Sequence, residues 1–202
     1  MSTWPKYSLT SYTAKQRGEQ MAFYHATNLL IYRIDLSLGR NRVDFGKGFY
    51  LTDKFGTARD WAIRKVEFEG EGTPTVLSYE IDSGLYTLPG MRFAAIPGIE
   101  WLEFICSNRR FDSSGSNKKE PRHDHHWVAG PIADDKVVDV VAEYMRDEIA
   151  ANKAIERLKA LPQTYQLSLH TSEALAFVDE GKVFYKQYRN GRWSQNWMAR
   201  VS

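Results

Sequence analysis

Nine consecutive residues, Asp44-Phe45-Gly46-Lys47-Gly48-Phe49-Tyr50-Leu51-Thr52, carry the strongest hint of chemistry in this chain. Two glycines frame a lysine and lead into a short apolar run. The spacing is not that of a phosphate-cradling GxxxxGK[ST] loop, nor of GxGxxG opening a helix. Glycines just before a strand point instead to unusual dihedrals or to a backbone that a ligand approaches closely. Other groups flank the motif in order: His25, Ala26 and Thr27 upstream, Trp61 after it and Gln166 far downstream. Tyr50 and Trp61 offer two aromatic faces that could sandwich a flat ring. Each residue also has a plainer reading taken alone. A histidine on an apolar strand is usually buried and satisfied, and a lone tyrosine or tryptophan usually packs a core.

The ordered set resembles the ADP-ribosyltransferases of the diphtheria-toxin and poly-ADP-ribose-polymerase branch. That branch carries His-Gly-[Ser/Thr], then FGxGxYxA, then an acidic residue before a late strand, and Tyr50 and Trp61 match its aromatic spacing. The chain is most similar to a bacterial and viral transferase-like group. With it the chain shares DFGKGFYLT, Trp61-Ala62, Gly130-Pro131 with Ala133-Asp134-Asp135, and the late Gln166, His170, Thr171, Ala174 and Leu175. The likeness spans Phe23 to Val178.

The resemblance implies NAD⁺ as co-substrate, no metal, and transfer of ADP-ribose to an unknown macromolecular acceptor, protein or nucleic acid. The alternatives are an NAD⁺ glycohydrolase and a catalytically silent NAD⁺ or ADP-ribose binding module. It implies catalytic roles for Gln166, Tyr50 and His25, with His25 donating to a ribose hydroxyl. Cofactor contacts would come from His25, Ala26, Thr27, Arg40, Tyr50 and Trp61, Arg40 meeting the diphosphate. The glycosidic bond of NAD⁺ breaks through an oxocarbenium-like state, which a polar group beside the ribose stabilises.

Three positions depart from the branch. Ala26 stands where glycine is common, and Ala58 where polymerase-like members have serine, with Thr57 beside it. Gln166 replaces the catalytic glutamate. Its amide oxygen can accept from a ribose hydroxyl, but it carries no charge and is no general base. Glu80, Glu100, Glu143 and Glu148 are the carboxylates considered as substitutes, each having a solvated-surface reading.

These side chains must be positioned by a framework. Strands are expected at Met21–His25, Gly48–Leu51, Thr75–Asp82, Trp127–Ile132, Tyr165–Leu169 and Lys182–Tyr188. Asn28–Leu36 reads equally as strand or turn. Helices are expected after Thr52 or Asp53 (Phe55, Ala58, Ala62, Val66), from Pro97 to Arg109-Arg110, from Asp134-Asp135 to Met145, from Asp147 to Leu161 before Pro162, and from Thr171 to Val178. Phe111–Arg122 reads as a polar loop. The class is α+β, and the resemblance implies a split antiparallel β-sheet core flanked by helices. Residues 1–20 form a polar N-terminal segment, and 21–202 a single ADP-ribosyltransferase-like domain.

The bulk numbers agree with one folded domain: 202 residues, 43% apolar and 13% aromatic. Six tryptophans imply flat binding surfaces or an aromatic core. A net charge of +2 gives no electrostatic case for an obligate nucleic-acid partner. The single Cys106 excludes an internal disulfide. His123-Asp124-His125-His126 looks like a metal cluster, but consecutive residues rarely share one site, and it reads as a polar loop. No apolar run is long enough to span a bilayer and no signal peptide opens the chain, so cytoplasmic residence is expected, with signal-less export left open.

Overall fold

The computed structural model describes residues 21–109, 123–132, 135–161 and 164–200. Residues 1–20, 110–122, 133–134, 162–163 and 201–202 lie outside the described residues, and with them the expected polar segment, the loop expected at Phe111–Arg122 and Pro162.

Strand β1 (Met21–Thr27) pairs antiparallel with β3 (Thr75–Ile81) along its whole length, from Met21 opposite Ile81 to Thr27 opposite Thr75. The expected strand stops at His25; two further residues join it because β3 offers partners that far. Strand β2 (Phe49–Thr52) pairs over its full length with β6 (Tyr165–Leu169), yet meets β1 through one residue pair, Tyr24 opposite Thr52. Further strands are β4 (Gly90–Arg92), β5 (Trp127–Pro131), β7 (Phe184–Arg189), β8 (Arg192–Trp193) and β9 (Met198–Ala199). The described residues thus form a nine-stranded sheet in the order β4-β5-β6-β2-β1-β3-β7-β8, with β9 also on β7. Only β4 and β5 pair in parallel. The class is α+β, as expected.

Side-chain alternation gives the sheet two unlike faces. One face carries Phe23, Phe49, Leu51, Leu77, Tyr79, Leu167 and Leu169 in a single buried core. The opposite face is covered in two patches. Helix α1 (Phe55–Glu69) lays Ala58 and Ala62 on Val76, Tyr24 and Ala26. Helices α2 (Ile99–Arg109), α3 (Asp135–Met145) and α4 (Ala151–Lys159) build the other patch with Phe45, Phe93 and Val128. Tyr50, Thr52 and Gln166 project from this same face, because Tyr50 lies opposite Ser168 and Thr52 opposite Gln166. They lie on β2 and β6, between β5 on one side and β1 on the other, and Tyr50 packs against the second patch.

Several boundaries differ from expectation for local reasons. Neither Thr52 nor Asp53 caps α1; Lys54 precedes it without a side-chain cap. Thr52 Oγ1 is drawn instead to the Tyr165 carbonyl at 3.0 Å. The helix expected from Asp147 begins at Ala151, since Asp147 adopts φ 59, which a helix does not tolerate. Thr171 does cap a helix, α5 (Ser172–Leu175), accepting from the Ala174 amide. Trp101 and Trp127 are buried, while Trp197 is exposed and Trp61 and Trp193 lie half-buried. Trp101 and Trp127 therefore fit the aromatic-core reading. Among the described residues no helix is long and apolar enough to cross a membrane.

Candidate functional site

The glycine motif is shaped by the chain itself. Gly46 has φ 77, a left-handed conformation that glycine adopts freely. Gly48 is needed for space: a Cβ there would stand 2.6 Å from His170 Nδ1 and 2.7 Å from the Leu169 carbonyl oxygen. The close approach expected from a ligand is made by strand β6 and its histidine. Side chains from elsewhere then hold the backbone of residues 44–47. The Tyr50 hydroxyl accepts from the Phe45 amide at 2.9 Å and donates to the Gly46 carbonyl at 2.7 Å. His123 Nε2 donates to the Phe45 carbonyl at 2.8 Å, and His170 Nδ1 to the Lys47 carbonyl at 2.9 Å. The loop is over-determined, so its side chains are held in place.

Asp44 uses that rigidity. Its carboxylate is buried and accepts from Gln166 Nε2 at 2.9 Å and Arg109 Nε at 3.0 Å. A second guanidinium nitrogen of Arg109 also reaches Oδ1. A carboxylate only accepts, so the Gln166 amide nitrogen must face Asp44, and Oε1 is the end left over. No described residue hydrogen-bonds Oε1. Asp44 opens the motif, yet nothing in the sequence singles it out for this role. Arg109 reads from the sequence as a helix-end charge or a contact to a target macromolecule, and the structure turns it to Asp44. Two of the carboxylates considered as substitutes are engaged elsewhere: Glu143 with Arg157 across α3 and α4, and Glu148 with Arg146.

Tyr50 is half-buried and stacks loosely on Phe45, with centroids 6.4 Å apart. Burial first, then the neighbouring Asp44 charge, push its phenol well above the ordinary range, so it stays neutral and can donate. Arg40 is exposed yet near enough to oppose that rise.

His25 marks the seam where β1 and β2 part. Beyond the single pair at Tyr24 the strands no longer share a ladder, and the Tyr50 carbonyl is left without a strand partner. His25 Nδ1 supplies it at 2.7 Å, with the imidazole stacked on Phe49 at 4.2 Å. Burial, the largest cause, lowers its pKa to about 4, with Lys65 adding to the fall. The ring is therefore neutral at pH 7. A carbonyl can only accept, so Nδ1 carries the hydrogen and Nε2 presents a lone pair. Toward a ribose hydroxyl His25 would accept, the reverse of the expected donation.

Trp61 stands on the edge of α1 that follows the end of β1. One and two turns on, Lys65 lies close enough to act on His25, and Glu69 accepts from Asn28 Nδ2 at 2.8 Å. Arg64 covers one face of the indole at 5.6 Å. Ala26 sits past the single β1–β2 pair, where β1 has no ladder partner on that side. Thr27 is buried and its hydroxyl accepts from the Leu29 amide at 3.3 Å. Ala58 is buried on the inner face of α1. Thr27 and His25 share the face opposite Tyr50 and Gln166, and the two sets come together only at the seam.

Residues 21–179 match a family described as a protein of unknown function, DUF3990. The chain belongs to that family. No curated protein and no solved structure matches it. All of His25, Asp44, Tyr50, Trp61, Arg109 and Gln166 fall within the DUF3990 match, and residues 180–200 lie beyond it.

Three histidines of this DUF3990 chain, His123, His126 and His170, hold its framework together. His170 is buried, and burial, followed by nearby His123 and His125, lowers its pKa to about 3. With Nδ1 donating to Lys47, its Nε2 accepts from Ser168 at 2.8 Å. His123 packs edge-on against it at 4.6 Å. His126 Nδ1 meets Thr171 Oγ1 at 2.7 Å. The run His123–His126 is the expected polar loop leading into β5, with its three histidines partly buried and Asp124 exposed. Among the described residues no group of three or more His, Cys, Asp or Glu could hold a metal ion.

Proposed function

We propose that this DUF3990 chain is a mono-ADP-ribosyltransferase with an ADP-ribosyltransferase-like fold, taking NAD⁺ as co-substrate and a macromolecule as acceptor. The observation that carries the reading is the fixed orientation of Gln166. Asp44 holds its amide nitrogen, which leaves Oε1 free on the sheet face that also carries Tyr50 and that α1, the helix of Trp61, partly covers. An amide oxygen backed by a buried carboxylate is a stronger acceptor than an isolated amide, because hydrogen bonds in series polarise one another. It suits a ribose hydroxyl beside a carbon that is gaining positive charge.

In this reading the bond between ribose C1′ and the nicotinamide nitrogen breaks, its electron pair leaving with neutral nicotinamide. The acceptor's nucleophilic atom bonds to C1′ and loses a proton. Tyr50 and Trp61 flank the leaving ring, His25 Nε2 accepts from the second ribose, and Arg40 meets the diphosphate.

One specific observation favours a second reading, a module that binds NAD⁺ or ADP-ribose without turning it over. Gln166 cannot take a proton, and the carboxylate behind it is committed to Arg109. Incubation with labelled NAD⁺, with and without cell lysate, separates the readings. Label on macromolecules is the transferase result. Nicotinamide release without such label identifies a glycohydrolase, and saturable binding with neither signal identifies the silent module.

A further inference from the structure

Beyond the DUF3990 match, the stretch that follows Glu180 has a composition unlike the rest of the chain. From Gly181 to Ser202 it contains five Lys or Arg and no Asp or Glu. The chain's net charge of +2 therefore divides into +5 here and −3 elsewhere. Near-neutrality of the whole conceals a basic segment.

The fold places three of these cations, Lys186, Arg189 and Arg192, beside aromatic faces, while Lys182 pairs with Asp179 and Arg200 donates to the Ile31 and Glu180 carbonyls. Strands β7, β8 and β9 enclose an open concavity of about 660 Å³ lined by Gln187, Arg189, Arg192, Trp193, Gln195 and Asn196, among others. The volume lies in the range of ordinary ligand sites. Arg189 and Arg192 are exposed, and neither is ion-paired among the described residues; Arg189 only donates to the Gln187 amide oxygen at 2.9 Å. Next to the concavity Trp197 is 37% exposed, lies flat on Tyr24 at 5.8 Å, and has the Lys186 ammonium over its ring at 5.4 Å. Its plane is thus held rigid, with a cation at hand.

We propose that this C-terminal hairpin is a binding site for single-stranded nucleic acid. Unpaired guanidiniums suit phosphates, fixed indole faces suit unstacked bases, and a floor of side-chain amides suits base edges. An acidic peptide would need the cations but not the flat rings or amides. An anionic membrane would favour an apolar face over an amide-lined hollow. The inference does not depend on the transferase reading, and binding is measured without NAD⁺.

The test is fluorescence anisotropy of the full chain with labelled twelve-residue dT and rU oligonucleotides at about 50 and 200 mM salt. Saturable binding that weakens with salt is expected, and the two oligonucleotides show whether DNA or RNA is preferred. The double variant Arg189→Ala/Arg192→Ala should lower the log–log salt slope by about 1.4, at roughly 0.7 per phosphate contact. Trp197→Ala should weaken binding at least about fivefold. Both arginines are exposed and unpaired, so an unchanged thermal melt is the folding control. Three results overturn the proposal: no saturable binding at low salt, binding indifferent to the double arginine variant, or tighter binding of poly-glutamate or anionic vesicles than of either oligonucleotide.

Discussion

The Gln166 amide nitrogen lies 2.9 Å from Asp44 Oδ2, joining the first residue of the glycine motif to a strand at the far end of the chain. The pair decides which end of Gln166 is offered to a ligand. Replacing Asp44 with asparagine lets that amide turn and leaves Arg109 without its counter-charge. Urea unfolding should show a loss of about 2–3 kcal/mol, below the full cost for a deeply buried pair because Arg109 is partly exposed. If the transferase reading holds, nicotinamide release should fall at least about tenfold with little change in KM. Unchanged stability would remove the Asp44–Arg109 pair from the account.

Tyr50 has two separable parts. Tyr50→Phe keeps the ring but frees the Phe45 amide and Gly46 carbonyl, which should cost about 1–3 kcal/mol. Tyr50→Ala removes the ring as well and should weaken NAD⁺ binding beyond the Phe variant. Titration calorimetry with NAD⁺ that cannot tell the two variants apart would argue against a stacking role for the ring.

Two glycine-to-alanine substitutions should move stability in opposite directions. At Gly48 the new Cβ meets His170 and the Leu169 backbone, so β6 must shift, at an overpacking cost of about 1–3 kcal/mol. At Gly56, in the first turn of α1, nothing lies within 4 Å and alanine should add about 0.5 kcal/mol. Thermal melts of the pair check both signs.

Acid should destabilise the fold before the carboxylates titrate. His25 and His170 have pKa values lowered from 6.5 to about 4 and about 3. Below pH 6.5 the unfolded chain takes up protons on these rings while the folded chain does not. Their stabilising contribution is whole above that pH and falls by about 1.4 kcal/mol per pH unit for each ring as pH drops toward 4.5. Denaturant midpoints for wild type and His25→Asn at pH 7 and 5 provide the check. The gap between the two proteins should narrow at the lower pH, and a constant gap counts against His25 as a source.

Much of the strand and helix pattern was legible because β1, β3 and β6 carry apolar periods and α1 carries small residues at helical spacing. The short β4, β8 and β9 were not, since two or three residues set no period and exist through their neighbours. In the site, the positions of His25, Tyr50 and Gln166 could be read from motif order. Asp44 could not, because nothing local marks an aspartate that pairs with Arg109 and Gln166 after folding. The direction of the His25 hydrogen bond was equally hidden: it depends on a strand carbonyl that loses its partner only in three dimensions.

The seam between β1 and β2 also bears on how the domain comes apart. Elsewhere in the sheet backbone ladders tie neighbours together, but here one residue pair and one imidazole span the join. The left and right halves owe their union to side chains beneath it, Phe23 and Leu77 from one half meeting Phe49, Leu51 and Leu167 from the other. Hydrogen exchange should therefore see two protection units meeting at β2. A molecule wedged in the seam would act as mortar, slowing exchange on both sides at once.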